Sequence, residues 1–254
     1  MDTIRNNASA ELAQAAACLV VEEGMEYAAA KRRAVKQLGM SARTALPDNA
    51  AMDAAVREYI ALFCADTQPT ELAALRAIAL TWMERLTDFR PHLGGAVWHG
   101  TATRHSDVYL QLFCDDPKAP EWALLNHRVA YHPGEVKGWR GEPVQVLTLR
   151  VRNEAFEEWA LVHLMLYNLD DVRGALKSDA QGRKPRGDVA AVRRLVQLAL
   201  HRQQLGSVPL RRRCIPTLLQ TGLGGRLFRF FGHPDRQVIC HGRPHRLLLL
   251  LSHH

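Results

Sequence analysis

The chain has 254 residues, room for one large domain or a domain with extensions, and its 47% apolar content is that of a globular protein. It has no 18-residue apolar run, and its opening, Met1-Asp2-Thr3-Ile4-Arg5, lacks the apolar core of a secretion signal, so the expectation is a cytoplasmic protein with no membrane partner. The formal net charge of +7 is local: residues 1–204 balance 25 Lys and Arg against 25 Asp and Glu, whereas residues 205–254 carry eight Arg, one Asp, no Lys and no Glu. A uniformly basic, nucleic-acid-binding surface is therefore not expected outside that tail.

Residues 8–23 read as a first helix, with Ser9 as a candidate N-cap and Gly24 as its stop. Residues 25–38 follow as a second, ended by Gly39, with Tyr27, Ala30, Ala34 and Leu38 on one face. Lys31, Arg32, Arg33 and Lys36 are expected mostly on a solvated face. A third helix, 49–65, carries Met52, Val56, Ile60 and Phe63 at helical spacing. A fourth, 70–87, carries Trp82, Met83 and Leu86. The short link between these two predicts antiparallel packing.

After a central stretch at 94–116, a helix is expected near 118–128, then a loop holding Pro133-Gly134 and Gly138. Residues 144–152 (VQVLTLRVR) alternate cleanly as a strand, and 160–167 (ALVHLMLY) read as a buried strand. Asn168-Leu169-Asp170-Asp171 caps a short helix, 178–188 reads as a polar loop, and 189–203 as a last amphipathic helix. Strands interleaved with helices predict a mixed α/β sheet behind a helical N-terminal region. The expected division is 1–88, 89–204 and the basic tail 205–254. The tail's composition reads as a disordered segment or an out-of-frame extension of a GC-rich gene, which comparison with the genomic reading frames would test.

The five cysteines are widely spaced with no C-x-x-C, the usage of reduced, packing thiols. Cys214, His233, Cys240, His241 and His245 fit no standard zinc spacing. There is no G-x-x-x-x-G-K-[ST] loop, no G-x-G-x-x-G and no G-x-S-x-G elbow.

The central stretch reads GGAVWHGTATRHSDVYLQLFCDD. A glycine pair, Gly94-Gly95, precedes a polar loop, and residues 107–113 follow as a strand. Alternation puts Asp107, Tyr109, Gln111 and Phe113 on one face and Val108, Leu110 and Leu112 on the other. The arrangement resembles the signature of the nucleotidyltransferase superfamily, the fold of DNA polymerase β and of the small antibiotic-modifying nucleotidyltransferases. There a Gly-Ser pair and a loop of the form G-T-A-x-x-x-S-D lead into Asp-hydrophobic-Asp. The resemblance spans about residues 70–180. It implies a nucleotidyltransferase-like sheet flanked by helices and a ligand site at Gly94, Gly95, Ala96, Thr101, Ser106, Asp107 and Tyr109.

In that family the carboxylates hold two divalent cations that orient a triphosphate and stabilise charge on the attacking and leaving oxygens. This chain has Ala96 where the family has its phosphate-gripping Ser and Tyr109 where it has the second carboxylate. Val144-Gln145-Val146 stands where a third is expected. Asp107 alone is left as a magnesium ligand. Asp115 and Asp116 lie about 26 Å along an extended strand at ~3.3 Å per residue, out of reach of the same metal. Glu142, His163 or Asp170 could approach if the sheet order allowed it. The expectation is a catalytically degenerate protein that binds a nucleotide or small phosphorylated ligand. Two alternatives stand beside it: an active magnesium-dependent nucleotidyltransferase with relocated carboxylates, and a non-enzymatic module whose helices 25–65 dock a protein partner. Asp107 as a loop anchor, accepting from Thr101 or Ser106, is the bland reading.

Overall fold

A computed structural model describes residues 2–41, 43–138, 141–178, 182 and 184–206. The readings made of residues 207–254, the zinc set included, lie outside the described residues.

The chain opens with three helices, α1 (Asp2–Glu23), α2 (Tyr27–Gln37) and α3 (Asn49–Phe63). They bury a small core of their own around Leu12, Ala16, Ala30, Ala34, Met52, Val56 and Ile60. The helical spacing read from α3 holds for Met52, Val56 and Ile60, but Phe63 at the helix end is exposed. Lys31 is not on a solvated face: it is buried, and its ammonium donates to Asn49 Oδ1 at 3.0 Å. The start of α3 is fixed by Asp48, whose Oδ1 accepts from the Ala51 amide at 2.7 Å. Asp48→Ala is expected to cost about 1 kcal/mol, read from the urea midpoint at unchanged slope.

Helix α4 (Gln68–Arg85) has Pro69 in its first turn, where an amide would have no intrahelical partner and its loss costs nothing. It leads through a 3-10 turn to β1 (His92–Gly94), α5 (Gly95–His99) and β2 (Val108–Phe113). Next come α6 (Ala119–Asn126), β3 (His132–Lys137), β4 (Pro143–Asn153) and β5 (Glu158–Tyr167). A second 3-10 turn, α7 (Val172–Ala175), β6 (Gly187–Asp188) and α8 (Val189–Gly206) complete the described chain. The six strands form one mixed sheet in the order β3-β4-β5-β2-β1-β6. β2 and β5 are parallel, and the other neighbouring pairs are antiparallel. The fold is thus mixed α/β, with helices flanking a sheet. No helix among the described residues is long and apolar enough to cross a membrane.

The alternation read from β2 decides what each sheet face does. Val108, Leu110 and Leu112 are fully buried under α4, in a core shared with Leu164 on β5, Leu147 on β4 and Leu75, Trp82 and Met83 on α4. The opposite face carries Tyr109, Gln111 and Phe113. At one end of it Phe113 packs with Tyr167 and Ala175.

The expected antiparallel pairing of α3 and α4 does not form. α3 lies on α1, while α4 lies on the sheet and α8. The apolar stripe of α4 has a larger partner in the β2–β5 surface than α3 could offer, so the short link turns the chain from one core into the other. Two strands fall in stretches expected to be loops, β3 at Pro133-Gly134 and β6 within 178–188. α8 runs on through Gly206, two residues into the predicted tail.

Candidate functional site

β1 ends on Gly94, and the chain turns at once into α5 through Gly95, whose φ of +66° is open to glycine at little cost. Five residues later Gly100 (φ +81°) closes α5 and releases the chain into the 101–107 loop, which delivers Asp107 to the start of β2. That loop is pinned from several elements. Gln68 Nε2 donates to the carbonyls of Gly100 and Ala102, at 3.1 and 2.8 Å. Just before the loop, Arg76 donates to the α5 carbonyls of Val97 and Trp98, and Arg57 to that of His99. Within the loop the Thr103 amide donates to Ser106 Oγ and the Ser106 amide to the Thr103 carbonyl.

The three-helix unit grips the same loop. The Thr103 hydroxyl donates to the Val21 carbonyl at 3.1 Å, and Gly24 approaches the His105 backbone so closely that a Cβ there would meet the carbonyl oxygen at 2.5 Å. Between the gripped turn and the open sheet face lies a cleft of about 400 Å³. All seven residues expected at the site line it: Gly94, Gly95, Ala96, Thr101, Ser106, Asp107 and Tyr109. The N-terminal helices supply the facing wall through Met25, Glu26, Tyr27 and Asp53, and Gln111 and Met165 form part of the floor.

Asp107 is not anchored by Thr101 or Ser106. Its Oδ2 meets His163 Nε2 at 3.2 Å. His163 stands on β5, opposite Tyr109 in the parallel pair, and its ring stacks on the Tyr109 ring with centroids 4.9 Å apart. The other ring nitrogen, Nδ1, lies 3.0 Å from Thr148 Oγ1, across the β4–β5 pair. A carboxylate only accepts, so the proton sits on Nε2. In the neutral ring Nδ1 then accepts from the threonine hydroxyl. Of the three groups that sheet order was to decide between, His163 reaches Asp107, while Glu142 and Asp170 do not line the cleft. Gln145, the residue at the third acid's expected place, lies on β4 opposite Glu135, with β5 between it and β2.

Tyr109, in the second carboxylate's place, donates its hydroxyl to Glu26 Oε1 at 2.8 Å. Burial, and after it the charge of Glu26, holds this phenol above its ordinary range, so it stays a neutral donor. Tyr27 repeats the arrangement one residue along, donating to Asp53 Oδ1 at 2.8 Å, and is raised by burial and by Asp53. Arg57 flanks Asp53, with 3.7 Å between guanidinium and carboxylate.

Among the described residues no three His, Cys, Asp or Glu side chains converge as a complete protein metal centre would need. The donor set does fit magnesium held in the looser manner of one carboxylate plus phosphate oxygens and water. With Oδ2 taken by His163, Asp107 presents Oδ1, on a side chain 37% exposed. Bound there, the ion would neutralise phosphate charge.

No family model, curated protein or solved structure matches the chain.

Glu26, Tyr27 and Asp53 are the functional candidates that sequence reasoning missed. No local pattern marks them. The only signal was Gly24, read as a helix stop, whose missing side chain is what lets the α1–α2 turn sit on the loop.

Proposed function

We propose that this chain is a nucleotidyltransferase-like protein that has lost the two-metal chemistry and binds a nucleotide or small phosphorylated ligand in the cleft between its three-helix unit and its sheet. One observation carries the reading: the β1–α5–loop–β2 segment gathers Gly94, Gly95, Ala96, Thr101, Ser106 and Asp107 on one cleft, with a single carboxylate at the strand start. The two glycines and Ala96 put no side chain beyond a methyl at the turn, leaving room for a phosphate. Among the described residues the cleft lining contains no Lys or Arg. Phosphate charge would therefore be met by a divalent cation on Asp107, with Thr101 and Ser106 as hydroxyl contacts. Tyr109 stands in the second carboxylate's place and Gln145 in the third's, and Tyr109 and His163 pair with each other and with Glu26 and Asp107, which is the basis for reading the site as degenerate.

Calorimetry with ATP and magnesium is the test. Wild type is expected to bind in a magnesium-dependent manner, and Asp107→Ala to lose at least about tenfold in affinity, the scale of one charge-assisted contact. Incubation with labelled nucleotide is expected to transfer no label. Transfer would establish an active enzyme instead, and neither heat nor transfer would leave the helices of 25–65 as a partner-docking surface.

A further inference from the structure

Among the described residues β3 pairs with β4 alone, and it is exposed along its whole length at the edge of the sheet. The hairpin tells which of its backbone groups face outward. The Gly138 amide donates to the Glu142 carbonyl at 2.8 Å, and this pair continues the β3–β4 register. Bonded and non-bonded pairs alternate along an antiparallel ladder. Gly134 and Val136 therefore turn their amides to β4, while Pro133, Glu135 and Lys137 turn theirs outward. Both prolines agree with this phase. Pro133 and Pro143 have no N–H to give, and both fall at non-bonded pairs.

The outward donors are thus the amides of Glu135 and Lys137, and the strand's own sequence fits them. With Val136 opposite Val136 of a second, antiparallel copy, each Glu135 stands opposite a Lys137, and outward groups meet outward groups. Both of these pairs then exchange their backbone hydrogen bonds and join opposite charges on one face. Gly134 meets Gly138 without bulk. A centre on Glu135 or on Lys137 sets like charges against each other. A centre on Gly134 spends Glu135 on Pro133, which has no donor. A second observation concerns the other face. Val144, the ladder partner of Val136, packs with Tyr167 and Phe113. That apolar row ends at the edge on Val136, 42% exposed. In the same register Val136 meets its own copy across the twofold axis, and the row continues.

We propose that β3 pairs with β3 of a second copy, antiparallel about Val136, and that the chain forms a twofold dimer through one continuous sheet. The assembly closes on itself, because the edge at the far side, β6, has only the two residues Gly187–Asp188 and gives no run to extend. The dimer does not depend on any ligand of the cleft.

The test is sedimentation equilibrium of the full chain without ligand. A monomer–dimer equilibrium is expected with a dissociation constant of about 1–100 μM, as suits a short interface. Glu135→Lys and Lys137→Glu each turn both ion pairs into like-charge pairs and should weaken it about tenfold or more. The double variant E135K/K137E sets opposite charges face to face again and should restore wild-type association, a rescue that an interface elsewhere on the molecule would not show. Both positions are exposed, so the fold is preserved, and circular dichroism melting checks this. If one single variant fails to fold, the other and the double variant carry the test. A wild type that stays monomeric well above 100 μM leaves the edge to solvent or to a different partner and overturns the proposal. A dimer that the single variants leave unchanged overturns it too, as does one that the double variant does not restore.

Discussion

Gly24→Ala is expected to lower the unfolding free energy by about 3 kcal/mol and to loosen the cleft. Two penalties combine. The residue sits at φ +67°, where an L side chain costs roughly 1–2 kcal/mol. Its new Cβ would also stand 2.5 Å from the His105 carbonyl oxygen, a backbone atom of the loop that ends in Asp107. The loop or the α1–α2 turn has to move, and either movement shifts Glu26 relative to Tyr109. Gly39 supplies the control, with φ +63° and nothing within 4 Å of where a Cβ would stand. Gly39→Ala should therefore cost only the conformational part, about 1 kcal/mol. Urea denaturation of the two variants separates the contributions: equal losses would mean that the contact with His105 is not the constraint described.

The second large effect is Leu110→Ala, expected to cost about 3–5 kcal/mol. Leu110 is fully buried in the middle of β2, facing α4, with Leu93 beside it on β1 and Leu164 on β5. Both neighbours are held in register by strand pairing and cannot easily collapse into the space, so the cavity persists. Leu62→Ala, at a side chain 68% exposed, should stay within about 0.5 kcal/mol. A loss at Leu110 no larger than that at Leu62 would sink the assignment of the two faces of β2.

What could be read in advance follows the range of the interactions involved. β2 and β4 showed themselves through alternation and β5 as a continuous apolar run, and the α4 residues Trp82 and Met83 were recognisable as core because each acts through its immediate neighbours. β1 and α5, of three and five residues, are too short to show a period. β3 is exposed along its whole length and contains Pro133 and Gly134, so it offers no contrast between faces. The site divides in the same way. Gly94 to Asp107 is a contiguous segment and was legible as one. Glu26 and Asp53 reach the cleft only through the seating of three helices on a distant loop. His163 reaches Asp107 only because β5 joins the sheet parallel to β2, a pairing that neither strand's own residues encode.

That parallel pairing also bears on how the protein comes into being on the ribosome. β2 emerges long before its partner β5, since α6, β3 and β4 are made in between, and the second neighbour of β1 arrives only at Gly187–Asp188. Until β5 is made the nascent chain holds two separate antiparallel ribbons, β1–β2 and β3–β4, each with a raw edge, a species prone to mispairing and suited to chaperone capture. Translation halted between β4 and β5 would leave the most vulnerable intermediate, because the central position of the sheet would still be vacant.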